Sequence, residues 1–396
     1  MLSLLEPTWK RVLCLFRTVL SFRMLEMASQ KDDKRDTIDE TEIRTKAHRW
    51  CKDSIGGAWS KITADEMIMD HVSGGMSNYL YLCRLPNCVK PLDQEPDQVL
   101  LRIYGHITTS NMDVLVHNSV VFALLSEKRL GPKPYGMFFD GRIEEFIMAK
   151  PLTHTDLSRP EIMQMVAEKL AAFHSLDMPL CKEPRWMFNI IKRWISEIQN
   201  NFSGHSKKSN KGDRETILRL QAIDMEKECD ELREIVLKLD SPVVFCHNDL
   251  QEGNILYDGT VADPDKRMTI IDWEYGNYNY RGFDLANHFC EWAISYNSNS
   301  FSMEPERYPT RQQQCIFFQH YLKALGKSNV SEETLSKMYV EVNTFAMASH
   351  FLWGTWATVQ GHTSSINFCY WDYAASRFEE YFKLKEHLPT FINQNM

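Results

Sequence analysis

Residues Phe245–Asn254 read FCHNDLQEGN and set His247, Asp249 and Asn254 in the spacing H-x-D-x-x-x-x-N. An apolar run, PVVFC (242–246), leads in as a strand, and NILYD (254–258) leads out as a shorter one. The next predicted strand, MTIIDWE (268–274), delivers a second acid, Asp272. A lone D-x-x-x-x-N is weak, because short patterns recur by chance; the strand context and the second acid supply the specificity. Phosphoryl transfer from a nucleotide needs these parts. One carboxylate orients the attacking hydroxyl and accepts its proton, while an amide and another carboxylate hold Mg²⁺ over the phosphates. The plainer alternative is a buried histidine and an aspartate turn in an α/β core.

The 396 residues suffice for two or three lobes, and 43% hydrophobic with 25% charged residues is ordinary for a soluble globular protein. A net charge of −8 argues against a nucleic-acid surface, which needs a basic stripe, and against general attraction to anionic membranes. Ten cysteines lie scattered, with no C-x-x-C pair and no histidines at zinc-site spacing. That pattern reads as reduced thiols and a cytoplasmic location. No run is long and apolar enough to be an integral membrane segment. Near the N-terminus, leucines and valines interleave with Lys10, Arg11, Arg17 and Arg23, so residues 1–42 read as an extension, either disordered or a basic amphipathic helix.

The folded part is expected to start near Ile43. Three strands follow: MIMDHV (67–72), YLYLCRLP (79–86) and QVLLRIYG (98–105). The turn SGGMSN joins the first two. Gly74, Gly75, Ser77 and Asn78 there suit a loop whose free backbone N–H groups face phosphates; a plain hairpin turn is the alternative. Arg102 on the third strand can add a cation to the same phosphates, or be an ordinary exposed arginine. A helix is expected over Asp113–Lys128, then a strand in GRIEEFIMAK (141–150), where backbone groups of Glu145, Phe146 and Ile147 occupy the place of an adenine-pairing hinge. Ile162, Val166, Leu170 and Phe173 at helical spacing predict a core helix over Glu161–Leu176, with His174 a satisfied structural histidine. Residues 200–212 read as a surface loop, 258–267 as a hairpin tip, and everything from Arg281 onward as helical almost to the end. The domains are 43–148, a nucleotide-binding lobe, and 149–396, a catalytic and substrate-binding lobe.

Trp353 and Trp356 lie three apart on one helix face, and INFCYWDYAASRF adds Phe368, Tyr370, Trp371 and Tyr373. Glu291 and Tyr296 stand upstream. Helical aromatics are more often core than ligand box. Beside a phosphoryl-transfer motif, however, aromatic faces with one carboxylate suit a quaternary ammonium, which has no N–H to donate.

Several stretches together resemble the choline/ethanolamine kinase family: SGGMSN, VLLRIYG, LGPKPYG, GRIEEFI, FCHNDLQEGNIL, IDWEYGNYNYRGFDLANHFCEW, SHFLWGTW and YWDYAASRF, spanning about Ile43 to His387. The resemblance implies an α+β, bilobal protein-kinase-like fold, with a small β-rich N-terminal lobe and a larger, mainly α-helical C-terminal lobe. It implies ATP- and Mg²⁺-dependent phosphorylation of choline, the step that begins phosphatidylcholine synthesis, in a cytosolic homodimer or a heterodimer with a related subunit. By the same resemblance Asp249 is the catalytic base, Gln251 lies beside the reacting hydroxyl, and Asn254 and Asp272 hold the metal. Arg102 contacts the nucleotide phosphates, and Glu291, Tyr296, Trp353, Trp356, Phe368 and Tyr373 line the choline site.

Two departures stand out. Asn118 occupies a place where the family has a glutamate, so Arg102 must be held by another acid or by ATP itself. Trp273 replaces a usual phenylalanine and keeps a large apolar neighbour. Ethanolamine is the competing substrate, alone or alongside choline; Gln251-Glu252-Gly253, Cys290-Glu291-Trp292 and Tyr370-Trp371-Asp372-Tyr373 favour choline. A weakly active dimer subunit is the reading that Asn118 motivates.

Overall fold

The computed structural model describes residues 40–72, 78–104, 112–203, 213–297, 299–327, 329–364 and 366–395. They form two compact units. One contains the described residues up to Lys150 and the segment Leu256–Glu274; the other contains Pro151–Ile255 and the chain from Tyr275 onward. The first is small and β-rich, the second larger and mainly helical, as the resemblance implied. The N-terminal amphipathic stretch and Gly74, Gly75 and Ser77 lie outside the described residues.

In the first unit, α1 (Glu40–Ser54) buries Ile43, Ala47, Trp50 and Cys51, a helical stripe, against a five-stranded antiparallel sheet. The strands are β1 (Ile68–Val72), β2 (Asn78–Arg84), β3 (Gln98–Tyr104), β4 (Pro134–Phe138) and β5 (Gly141–Glu145), in the order β1-β2-β3-β5-β4. Met69, Tyr81, Cys83, Val99, Leu101, Ile103 and Ile143 supply the sheet's share of the core. The opposite side chains of β3 and β5 carry charge. Arg102 pairs with Arg142 and Leu100 with Glu144, which places two arginines and a glutamate on one face. Gly141 cannot carry a side chain, since a Cβ there would meet the Arg102 carbonyl oxygen at 2.3 Å. Helix α2 (Met112–Glu127) follows β3 closely where expected. The strand read into 141–150 is shorter, ending at Glu145, with β6 only the pair Lys150–Pro151; β4 was not anticipated.

In the second unit, α3 (Pro160–His174) buries Ile162, Val166, Leu170 and Phe173 as the spacing predicted. Helices α4 (Trp186–Ser203), α5 (Arg214–Gln221) and α6 (Met225–Val236) precede β7 (Val243–Cys246). The chain then returns to the first unit over Leu256–Glu274, where β8 (Ile255–Tyr257) and β9 (Met268–Ile270) flank the exposed loop, and Asp272 lies two residues past β9 rather than in it. β10 (Asn277–Tyr280) pairs antiparallel with β7, and α7 (Arg281–Glu291) follows at once. Then comes a departure from the all-helical expectation, a small hairpin of β10's successors β11 (Ile294–Tyr296) and β12 (Phe301–Met303). Helices α8 (Arg311–Ala324), α9 (Glu332–Thr363) and α10 (Tyr370–Asn395) complete the unit. Ser331 caps α9 and a Thr310–Gln313 capping box starts α8. Among the described residues no helix is long and apolar enough to cross a membrane.

Candidate active site

In the second unit the loop between β7 and β8 carries His247, Asp249, Gln251 and Asn254, and it is fixed by an acid on α7. The Asp284 carboxylate, fully buried, accepts the backbone N–H of His247 at 2.9 Å and of Asn248 at 2.6 Å, and takes His174 Nε2 at 2.9 Å. His174 Nδ1 meets the Tyr321 hydroxyl at 2.8 Å, so this histidine is structural as expected. Burial opposes the Asp284 charge, but the His174 bond and charge, with those of His247, hold its carboxyl below the ordinary value. Charge-assisted bonds of this kind are about twice as strong as neutral ones.

Two asparagines complete the turn. Asn248 adopts φ +68°, a left-handed conformation that asparagine tolerates better than most residues. Its side chain spans the loop, donating to the Tyr275 carbonyl at 2.8 Å and accepting from Asn279 at 2.8 Å. On the far side His288 bonds the Leu250 carbonyl at 3.1 Å and accepts from Trp292 Nε1 at 3.2 Å. The pair of contacts fixes the neutral tautomer with its proton on Nδ1. Burial lowers His288 to about 4.

Asp249 is half-buried, and Asn254 reaches it: Nδ2 donates to the Asp249 carbonyl at 2.8 Å and to its Oδ2 at 3.2 Å. With its nitrogen so engaged, Asn254 has Oδ1 as its open acceptor. Gln251 and Gly253 are half-buried beside it. Glu252, between them, is 7% exposed and its Oε2 meets no donor. Burial and then the nearby Glu291 charge push the Glu252 carboxyl up to about 8.

The aromatic residues are joined into one set. Trp353 and Trp356 stand edge to face at 5.6 Å, Trp356 meets Tyr370 at 5.8 Å, Tyr370 meets Phe368 at 5.0 Å, and Phe368 meets Tyr373 at 5.9 Å. Tyr275 adds a ring against Trp353 at 5.4 Å. The Tyr296 hydroxyl donates to Glu291 Oε2 at 2.8 Å and lies 2.9 Å from the Tyr373 hydroxyl. Trp353 Nε1 is tied to Asn287 at 2.7 Å, whereas Trp356 Nε1 is buried without a partner. Arg377, which sequence reading passed over, is fully buried and ion-pairs with Glu291.

In the first unit Arg102 is 3% exposed. Its Nη1 donates to both Asp272 oxygens at 3.1 Å, and its Nη2 lies 3.5 Å from Glu144, which also binds Arg142. Arg142 in turn packs over the Phe122 ring of α2 at 4.1 Å. Burial opposes the Arg102 charge, but Asp272, Glu144 and Glu274 raise its affinity for the proton well above the ordinary value. Asn118 is buried, and its Oδ1 has no hydrogen-bond partner. Glu144 and Asp272 are the acids that hold Arg102 in its stead. Asn78 donates to Glu274 at 3.2 Å. The Glu145 N–H is taken by the Lys133 carbonyl at 2.8 Å, and Ile147 lies in the non-strand segment beyond. Trp273 is buried and bonds the Ile270 carbonyl at 3.3 Å.

Residues 69–382 match the family profile described as choline/ethanolamine kinase. The chain is 40% identical over 368 residues to a rat choline/ethanolamine kinase, covering 91% of each. It is 38% identical over 381 residues to mouse choline kinase alpha, covering 89% of this chain and 83% of that one. Its structure resembles that of a choline kinase from Cryptosporidium parvum, with a TM-score of 0.70 at 29% identity, over 90% of this chain and 97% of the other.

Proposed function

Because this chain belongs to the choline/ethanolamine kinase family, and is a kinase of that family, we propose that it transfers the terminal phosphoryl group of ATP to the hydroxyl of choline. The observation that carries the choline preference is the continuous aromatic set from Tyr275 through Trp353, Trp356, Tyr370 and Phe368 to Tyr373. Ring faces attract a quaternary ammonium, and a desolvated contact is worth roughly 2 kcal/mol. The Tyr373 hydroxyl already accepts from Arg377 Nε at 2.9 Å and Nη2 at 2.6 Å, which leaves it a poor acceptor for the N–H groups of ethanolamine.

In this reading Asp249 orients the choline hydroxyl and accepts its proton as the O–P bond forms, with Gln251 beside it. General-base help of this kind contributes about 10²–10⁴ in rate. Glu291, Tyr296, Trp353, Trp356, Phe368 and Tyr373 hold the cation and exclude water. Arg102 offsets charge on the nucleotide phosphates, and Gly74, Gly75, Ser77 and Asn78 are the residues proposed to contact them. Glu145 and Ile147 flank the adenine. Asn254 and Asp272 are oxygen donors of the class that Mg²⁺ takes, and a carboxylate has lone pairs beyond the two that Arg102 uses on Asp272. When bound there, Mg²⁺ supplies charge neutralisation over the phosphates. The product, phosphocholine, feeds phosphatidylcholine synthesis.

The test is the ratio of kcat/KM for choline over ethanolamine with purified protein. A ratio well above one is expected; a ratio well below one makes the protein an ethanolamine kinase. The weakly active subunit remains the second reading, carried by Asn118, and the acids already on Arg102 speak against it.

A further inference from the structure

We infer that Arg377 is a positioning residue for the substrate cation, acting through Tyr373, Tyr296 and Glu291, which it closes into one ring of hydrogen bonds. This rests on the reading above that the aromatic set receives a cationic amino alcohol. Arg377, on α10 and fully buried, donates to the Tyr373 hydroxyl at 2.9 Å from Nε and 2.6 Å from Nη2. Those two N–H groups use both lone pairs of the Tyr373 oxygen, so its own O–H is left to donate. Its partner is the Tyr296 oxygen at 2.9 Å. The Tyr296 O–H donates in turn to Glu291 Oε2 at 2.8 Å, and Glu291 Oε1 accepts from Arg377 Nη2. The circuit thus returns to the guanidinium.

The rest of the guanidinium is engaged as well. Its Nη1 lies 3.4 Å from Nδ1 of His350 on α9, an imidazole that burial and the arginine itself hold neutral, so that it accepts. Glu291 ends α7, Tyr296 lies in β11, and Tyr373 and Arg377 stand one turn apart on α10. One guanidinium therefore ties together the hydroxyl ends of two rings from different elements, and the Tyr373 ring abuts Phe368 at 5.9 Å in the aromatic set. Stability alone is a weak account of this arginine, because apolar residues of similar volume often replace a buried ion pair without loss. What they cannot do is hold two hydroxyls and a carboxylate in one geometry, as a planar fork of N–H donors does. Cation–π attraction needs a ring face within about 6 Å of the charge, so a ring free to swing at its hydroxyl end loses part of it.

The test is a double-mutant cycle in the full chain: wild type, Arg377→Met, Tyr373→Phe and the two together, with kcat and the KM values for choline and ATP measured for each. Arg377→Met is expected to raise KM for choline by about tenfold or more, within the range by which members of one hydrogen-bond network couple. KM for ATP should stay within about twofold of the wild type and kcat within about threefold. Because Tyr373 acts in the same ring, the double variant should raise KM for choline no further than the worse single one. A double variant whose change is the product of the two singles, or an unchanged KM in Arg377→Met, overturns the assignment. So does a parallel loss in kcat and in both KM values, which marks a residue that only supports the fold. Arg377→Lys keeps the charge beside Glu291 without the planar fork, so its KM should fall between those of the wild type and Arg377→Met. If Arg377→Met does not fold, Arg377→Lys takes its place in the cycle under the same criteria. Wild-type turnover separates the two levels of failure. No phosphorylation of choline or ethanolamine defeats the functional reading, whereas turnover with a KM that the Arg377 variants leave unchanged defeats only the role of Arg377.

Discussion

The guanidinium of Arg102 holds Asp272 by both carboxylate oxygens, with Nη1 at 3.1 Å from each, while Glu144 stands 3.5 Å from Nη2. The two acids make the arginine independent of the neutral Asn118 on α2. Replacing Asn118 by Glu should therefore change kcat by less than about threefold, because the cation it would serve is already met on two sides. A rise of orders of magnitude would show the native protein to be impaired and bring forward the weakly active subunit.

Arg102→Ala removes a phosphate-facing charge and leaves Glu144 with Arg142 alone. A single electrostatic donor at a phosphoryl-transfer site is worth about 10²–10³ in rate. Steady-state kinetics should show kcat/KM for ATP falling by that factor, with KM for choline little changed. An equal fall in kcat/KM for ATP and for choline, with both KM values unchanged, would indicate a general loss of folded protein instead.

Asp284→Asn tests whether the loop bearing Asp249 is fixed from α7. Three donors converge on this carboxylate, and a hydrogen bond to a charged group contributes about 1.5–3 kcal/mol. The variant should lose roughly 2–4 kcal/mol of unfolding free energy in urea, and its kcat should fall more than its KM for choline. Unchanged kcat at full folding would make Asp284 a core residue with no hold on the reaction.

His288 makes stability depend on pH in a defined direction. Its folded value is lowered to about 4 from an ordinary 6.5, so between those values the unfolded chain binds a proton that the folded one refuses. The contribution is complete above pH 6.5 and is lost as pH falls through 6.5 toward 4. Thermal melts should show the midpoint dropping over that window, and His288→Gln should flatten this part of the profile. A variant that melts with the same pH dependence as the wild type would assign the effect to other groups.

Trp353→Ala and Trp356→Ala should each raise KM for choline by about tenfold or more, the loss of one desolvated cation–π face, with kcat less affected. An unchanged KM returns that tryptophan to the core.

The loop Phe245–Asn254 and helix α3 were legible because their signals are local, a fixed spacing in one case and a 3.6-residue stripe in the other. The strand β4 and the β11–β12 hairpin were missed. β4 carries Pro and Gly, and the hairpin strands are three residues each, too short for alternation to declare itself. At the site, the residues of the motif were found and those that fix them were not. Asp284 sits in FDLANHF among apolar neighbours, and its partners lie 36, 37 and 110 residues away. Arg377 lies 86 residues from Glu291, so a reading by segments took Glu291 for an available charge. A buried arginine four residues after Tyr373, on an otherwise apolar helix face, was the one local sign.

Phosphorus NMR of the purified full chain with ATP, Mg²⁺ and choline tests the central claim most directly. The account predicts a phosphocholine resonance growing in step with ADP, and its absence when Asp249 is replaced by Asn. A folded, ATP-binding wild-type protein that forms neither phosphocholine nor, with ethanolamine supplied, phosphoethanolamine would contradict it.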